Sequence, residues 1–319
     1  MFVRRNIPWS WTLYYAWPSL LYFLAVDLTV YWQRDRIQQL HLDLPFEPIS
    51  MMATALAIFL GFKNNEAYGR WWEARKIWGL AVNYSRAWAR QVLTLMDSPE
   101  AEHVELSEFQ KQLIYRHIAF IHALRIFLRS TSSFPQEETA DEPVSARNDY
   151  RECRPFIDDD EFKQMKRSDN PPEVLMQMQG RGLQQARRRA WVSEYVLIQL
   201  DQTLVEFNNV QGRAERIKKT PLPRPYSYFQ RVIVHVLGTL LPFGLVANMG
   251  WLMVPLSFVV SFVFLALDLI GSRTEDPFEN RVDDTPLSAI SRTIERNMRE
   301  ALGEKDLPAP LEPERGVLL

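Results

Sequence analysis

Four windows of the chain are almost free of charge, and the charged residues crowd into what lies between them. The first, WTLYYAWPSLLYFLAVDLTVYW over 11–32, carries one charge, Asp27. Roughly 20 apolar residues suffice to cross the hydrocarbon core of a bilayer. Trp9, Trp11, Tyr14 and Tyr15 at one end, with Tyr31 and Trp32 at the other, match the aromatic belts of the two membrane surfaces. No small-residue cleavage site follows, so the segment reads as a retained span rather than a removed signal peptide. The second window, ISMMATALAIFLGF over 49–62, is short enough to be a buried core helix or a re-entrant segment. The helical pattern nevertheless continues through KNNEAYGRWWEARKIWGLAVNYSRAWARQVLTLM without a proline. That continuity predicts one long helix entering the membrane after Pro48 and running on beyond it. The third window, 232–246, and the fourth, 251–270, are separated only by Ala247–Gly250, which predicts two antiparallel neighbours. Pro242 and Pro255 are tolerated in membrane helices. The spans are placed at about 11–32, 49–66, 230–246 and 251–270.

Basic residues near span ends set the orientation. Arg4 and Arg5 precede span one; Lys63, Arg70, Arg75 and Lys76 follow span two. Arg216, Lys218, Lys219, Arg224 and Arg231 precede span three, and Arg273 follows span four. Four crossings with both termini cytoplasmic put these on one side, with Arg34 and Arg36 the exception. Residues 67–229 and 271–300 are then a cytoplasmic helical part, with apolar residues at helical spacing over 105–131 and 173–217. Residues 132–152 are polar and proline-bearing, a loop. The chain is expected to be all-α, a single domain over 1–300 with a poorly ordered tail over 301–319. It shows no internal repeat.

Averages hide this division: 24% of residues are charged and the net charge is −2. A near-neutral balance gives no support for nucleic-acid binding. Cys153 is the only cysteine, which excludes an intrachain disulfide or a Cys-rich zinc site. His117 and His122, five apart, do not share a helix face as zinc ligands would. No Gly-rich phosphate loop, Gly-x-Ser-x-Gly elbow or His-Glu-x-x-His motif occurs, and no enzymatic activity is expected. His235 and Asp27 lie inside spans, where polar groups are costly. Asp27 and Asp268 sit near span ends, from which they are expected to reach the interface.

Along span two, Thr54, Ile58 and Phe62 recur every fourth residue on one stripe, with Ala53, Ala55, Ala57 and Gly61 around them. Small residues let membrane helices pack closely, so spacing alone fits a packed bundle helix. A ring of such helices would instead present an apolar constriction of the kind that gates by dewetting. Below the stripe come Lys63, Asn64, Asn65 and Glu66, either an ordinary solvated helix or the inner mouth of a pore at Asn65 or Glu66. Arg70-Trp71-Trp72-Glu73 reads as a packing anchor at the membrane surface. The acidic stretch 275–284 has oxygens suited to a hard cation such as Ca²⁺ but lacks the EF-hand spacing and contains Arg281. A solvated loop is the default, and no cofactor is expected.

The run IFLGFKNNEAYGRWWEARK (58–76) resembles the bacterial bestrophin homologues. So do NPP (170–172), TPLPRPYSY (220–228), LLPFGLV (240–246), EDPFEN (275–280) and DDTPLSAISRTIE (283–295), in family order. The resemblance implies a homopentameric ion channel of the bacterial inner (plasma) membrane, with its pore on the fivefold axis. It implies a hydrophobic neck lined by the second segment, falling on Thr54, Ile58 and Phe62. Thr54 departs from the apolar residue usual at the outer neck position. A second constriction at the cytoplasmic end falls on Tyr195, counted back from Gly212, with Glu194 and Ile198 as neighbours. Animal relatives are Ca²⁺-activated anion channels with an acidic clasp after the last span. Glu279 and Arg281 interrupt that clasp here, so Ca²⁺ activation is not carried over. Bacterial relatives are associated with monovalent cations, and cations are the expected permeant ions. The alternatives are an anion (chloride) channel, or a non-conducting scaffold or sensor whose helical part binds another protein.

Overall fold

The structure is a computed structural model that describes residues 1, 3, 9–41, 44–130, 149–314 and 316–318. Arg4, Arg5 and most of the loop expected at 132–152 lie outside the described residues. The described chain is helical, with one isolated β-bridge between Glu314 and Val317. In order, the α-helices are α1 (Trp9–Trp32), α2 (Arg34–Gln39), α3 (Phe46–Leu95), α4 (His103–Ser130), α5 (Asp159–Lys166), α6 (Pro171–Arg188), α7 (Glu194–Lys219), α8 (Arg224–Met249), α9 (Met253–Thr274) and α10 (Leu287–Ala301). By compactness the described chain forms two units. One comprises Arg4–Trp71 and Pro221–Asp276, here the apolar unit. The other, the helical unit, comprises Met1–Val3, Trp72–Thr220 and Pro277–Leu319. The long helix α3 contributes its first half to the apolar unit and its second to the helical unit.

Among the described residues, three helical stretches, Leu13–Trp32, Phe46–Leu95 and Arg224–Thr274, are long and apolar enough to cross a membrane. The last turns back on itself at Gly250, whose φ of +53° is a conformation that glycine adopts without a Cβ penalty. Helices α8 and α9 then pack against each other and against α1. Helix α3 starts at Phe46, two residues ahead of Pro48. A proline is harmless in the first turn, where the missing N–H would have no partner anyway.

The core of the apolar unit is built from Phe23, Leu56, Leu60, Val234, Leu237, Leu241 and Met253. Helix α1 approaches α8 at Gly238, where an added Cβ would lie 2.5 Å from Phe23 Cε1. Alanine at 238 therefore overpacks a ring that is fully buried. Gly238→Ala is expected to cost about 1–3 kcal/mol, seen as a lower apparent Tm of the purified protein; an unchanged Tm would mean that this contact is soft. Beside it, two polar pairs tie α1 to α8. Ser19 Oγ lies 3.1 Å from His235 Nε2, and Tyr22 Oη lies 3.0 Å from Thr239 Oγ1. His235 Nδ1 donates to the Arg231 carbonyl at 2.8 Å, so Nε2 of the neutral ring accepts from Ser19. This accounts for His235 as helix–helix glue.

The helical unit is organised on α4, whose residues from Leu113 to Leu128 are buried almost without interruption. His117 sits in that core, its ring 4.3 Å from Phe207 and its Nε2 2.8 Å from Ser85 Oγ. The Ser85 hydroxyl donates to the Ala81 carbonyl, so His117 Nε2 carries the proton and donates to Ser85. Burial pushes its pKa down from 6.5 to about 3. The unfolded chain therefore takes up a proton as pH falls through 6.5, while the folded chain does not until about 3. Stability present above 6.5 is lost across that window. His117→Phe should flatten the acid limb of apparent Tm against pH, and an unaltered limb would show that other groups set it.

His122 is buried too, 3.2 Å from Glu295 Oε2 on α10. Arg125 reaches Glu152 at 2.6 Å. Arg125 and Arg129 both donate to Ser288 Oγ, at 3.2 and 2.7 Å. These contacts fasten α10 across α4. Residues after Ala301, expected as a poorly ordered tail, run back over the helical unit instead. Glu304 accepts from Tyr115 and Arg299, and the Met1 ammonium donates to the Leu318 carbonyl at 2.5 Å. Two backbone carbonyls, of Pro308 and Asp306, accept from Arg296 and Arg299. Polar anchors of this kind leave no hydrophobic signal in the tail's sequence.

Candidate functional site

Helix α3 has two faces within the apolar unit. Ile49, Leu56, Leu60, Lys63 and Ala67 are buried. Thr54, Ile58, Phe62, Asn65 and Glu66 are exposed, with Ile58 at 56% and Phe62 at 64%. Two large apolar side chains left uncovered on a rigid helix gain about 1.5–3 kcal/mol each when they are taken out of water. A face of this kind marks a surface that meets something else. Thr54 belongs to it, but its hydroxyl donates to the Ser50 carbonyl at 2.9 Å. With its proton committed to its own helix, Thr54 offers the surface a methyl group and acceptor lone pairs only. Asn65 and Glu66 continue the exposed face one turn further on.

What fixes this azimuth is polar and sits on the opposite side of α3. Lys63 Nζ donates to Asp268 Oδ1 at 2.9 Å and to Ser272 Oγ at 2.8 Å. Both charged side chains are almost completely buried, and Arg231 approaches the second Asp268 oxygen at 3.5 Å. Asn64 donates to the Leu267 carbonyl at 3.1 Å, and Gln230 donates to the Phe59 carbonyl at 3.1 Å. Gly271 lies under Asn64, where any side chain would collide with it. The four contacts hold α3 against α8 and α9 over one turn, and the exposed stripe is the consequence. Asp268 was expected to reach the membrane surface; it is buried because Lys63 pairs with it. The sequence signal was available: two residues of opposite charge at the inner edges of apolar windows.

One turn beyond, Arg70 donates from Nε to the Glu275 carbonyl at 2.8 Å and approaches Asp276 at 3.8 Å. Tyr68 and Trp71 stack with ring centroids 6.2 Å apart. The Arg-Trp-Trp-Glu run thus begins as the packing anchor expected of it.

Tyr195 belongs to the helical unit, in the first turn of α7, where Ser193 caps the helix by accepting from Val196 N. Its side chain is 86% exposed, and Ile198, on the same face, is 56% exposed. Glu194 bridges to Arg187 at 2.5 Å, so its charge is partly neutralised.

The acidic stretch is shared between the units, and its members are held by bases. Asp276 lies beside Arg70 in the apolar unit, and burial with Asp276 next door raises the Glu275 pKa. In the helical unit, Glu279 bonds Lys218 at 2.5 Å, and Asp284 accepts from Arg281 N at 3.1 Å. Burial pushes Asp284 up to about 7. Among the described residues, no three His, Cys, Asp or Glu side chains are gathered as a metal would need.

An all-helical chain with a long helix presenting an apolar stripe is a geometry that can be compared with known proteins. The model of the bacterial/fungal bestrophin proteins matches residues 10–300. This chain belongs to the bestrophin family. The protein named voltage-dependent anion channel-forming protein RSc3414, from Ralstonia nicotianae, is 32% identical, covering 96% of each chain. The similarly named YneE of Escherichia coli is 31% identical over 93% of this chain and 88% of its own. Among solved structures, a bacterial bestrophin homologue from Klebsiella pneumoniae superposes with a TM-score of 0.78 at 27% identity. That match covers 90% of this chain and 98% of the other. The bestrophin relationship makes this chain a membrane channel protein rather than an enzyme.

Proposed function

We propose that this bestrophin forms a passive, homopentameric channel for monovalent ions, with α3 of each subunit lining the central pore. The observation that carries the proposal is the apolar stripe of α3. Ile58 and Phe62 are more than half exposed, on the face opposite the buried Leu56, Leu60 and Lys63. Five copies around an axis would gather Thr54, Ile58 and Phe62 into a hydrophobic neck that resists wetting. Asn65 and Glu66 would line the inner mouth, and Tyr195 would form the cytoplasmic aperture. Four crossings of the inner membrane, made by α1, the first half of α3, α8 and α9, leave both termini cytoplasmic. This keeps the basic residues Lys63, Arg70, Arg231 and Arg273 near one surface.

Cations are favoured by the arrangement of charge. Glu66 is exposed on the pore side of α3, whereas Lys63 is turned away and neutralised by Asp268, and Arg70 is held by the Glu275 carbonyl and Asp276. A ring of five carboxylates below a neutral neck selects against anions. A second reading, an anion channel, is favoured by the names of the relatives from E. coli and R. nicotianae. Reversal potentials of the purified protein in planar bilayers under a NaCl gradient separate the two. A reversal close to the sodium equilibrium potential is expected; one close to the chloride potential would replace the cation reading by the anion one. No current at all, from protein that is correctly inserted, would leave a non-conducting scaffold.

A further inference from the structure

We propose that Asp27, Ser257 and Ser261 form a binding site for one Na⁺-sized monovalent cation inside the apolar unit of each subunit. Asp27 on α1 is fully buried, and no hydrogen bond of normal geometry reaches either carboxylate oxygen, although the Ser257 hydroxyl lies next to them. Ser257 and Ser261 on α9 are buried as well, and neither hydroxyl makes a hydrogen bond of normal geometry. The two serines are four residues apart, on one face of α9, and the Ser257 hydroxyl lies beside the Asp27 carboxyl. Helices α1 and α9 run antiparallel. Arg273 stacks over the Tyr15 ring at 4.1 Å towards one end, and Asp27 meets Ser257 towards the other. In that register Ser261 falls opposite the stretch between Phe23 and Asp27.

Hydroxyls in these helices ordinarily donate to the carbonyl four residues back. Thr29, Thr54, Thr239 and Thr274 all do so, at 2.7–2.9 Å. Ser257 and Ser261 do not, although the same carbonyl positions precede them, and both lie on the α9 face that meets the carboxyl. A buried polar atom without a partner is costly, most of all in an apolar surround, and an intramembrane acid without one signals a function. One carboxylate and two hydroxyls are hard oxygen donors, which suit an alkali cation. The single negative charge balances a single positive one, whereas Ca²⁺ sites take six to eight oxygens and usually several carboxylates. Asp27 lies about 8 Å from the Trp32 end of α1, and Ser257 is in the second turn of α9, so the path to water at that end is short.

The test is thermal unfolding of the full-length purified protein in NaCl against N-methyl-D-glucamine chloride at matched ionic strength. An apparent Tm that rises with Na⁺, by roughly 3 °C or more at saturation, is expected of an occupied site. Asp27→Asn should abolish the Na⁺ dependence. If that variant does not fold, the double variant Ser257→Ala/Ser261→Ala decides, and should weaken the Na⁺ response by at least about tenfold in midpoint concentration. Equal Tm values in the two salts would overturn the proposal and leave a neutral carboxyl or an ordered water there. Persistence of the Na⁺ shift in the variants would overturn it equally. The assay reads no current, so it stands or falls independently of the pore assignment.

Discussion

Single channels of Phe62→Ala should pass about tenfold more current than the unaltered protein, and Ile58→Ala should move in the same direction. A neck of apolar side chains resists ions because they would have to shed water without receiving polar partners. In the proposed pentamer, removing a ring of five phenyl groups would widen the constriction and let water bridge it. A barrier lowered by about 1.4 kcal/mol is already a tenfold change in rate. Both side chains are more than half exposed on α3, so truncating them leaves no cavity in the subunit core. An effect on conductance without a loss of Tm is therefore the expected pattern, read from bilayer recordings beside an unfolding curve. Unchanged conductance in both variants would remove the neck from this stripe. Thr54→Ala should do far less, since its hydroxyl is already bonded to its own helix.

Lys63→Met is expected to give a large loss of stability. It strips the Nζ bonds to Asp268 and Ser272 and leaves the Asp268 carboxylate buried, with only Arg231 nearby. Breaking one side of a buried pair costs about 3–5 kcal/mol, because the remaining charge is uncompensated. Asp268→Asn should be milder, as the amide still accepts from Lys63. The informative variant is Lys63→Met with Asp268→Leu, which removes both charges and should recover most of the lost Tm. Recovered stability with altered conductance would show that the pair sets the azimuth of α3 as well as its packing. If the double variant is no more stable than Lys63→Met alone, the cost comes from packing and not from the stranded charge.

Much of the fold could be read from the order of residues, for a physical reason. A span must satisfy its own backbone hydrogen bonds in lipid, so apolar length alone marks α1, α8 and α9. The second half of α3 was legible as the proline-free continuation of a short apolar window, and the tight turn at Gly250 from the four residues between two windows. The helical unit was less legible. Its pattern showed helices over 173–217 but not the break between Arg188 and Glu194 that separates α6 from α7. Nothing in the apolar pattern revealed that Arg296 and Arg299 would hold the tail by its carbonyls. At the site, periodicity singled out Thr54, Ile58 and Phe62 but could not say which face of α3 is covered. That depends on Lys63 finding Asp268, two residues 205 positions apart. Long-range pairs of single charges leave no local periodicity, and here one such pair orients the stripe.

Whether the exposed stripe of α3 faces the ion path is decided by one chemical measurement. Cys153 is the only native thiol, is fully buried, and has its pKa pushed up by that burial, so a cysteine introduced at the stripe would be the reactive one. Currents through Phe62→Cys channels are recorded in bilayers before and after a charged, membrane-impermeant methanethiosulfonate reagent, with unaltered channels as the control. Modification is expected to reduce the Phe62→Cys current sharply and to leave the control untouched. A Phe62→Cys channel that is demonstrably labelled, yet conducts as before, would contradict it.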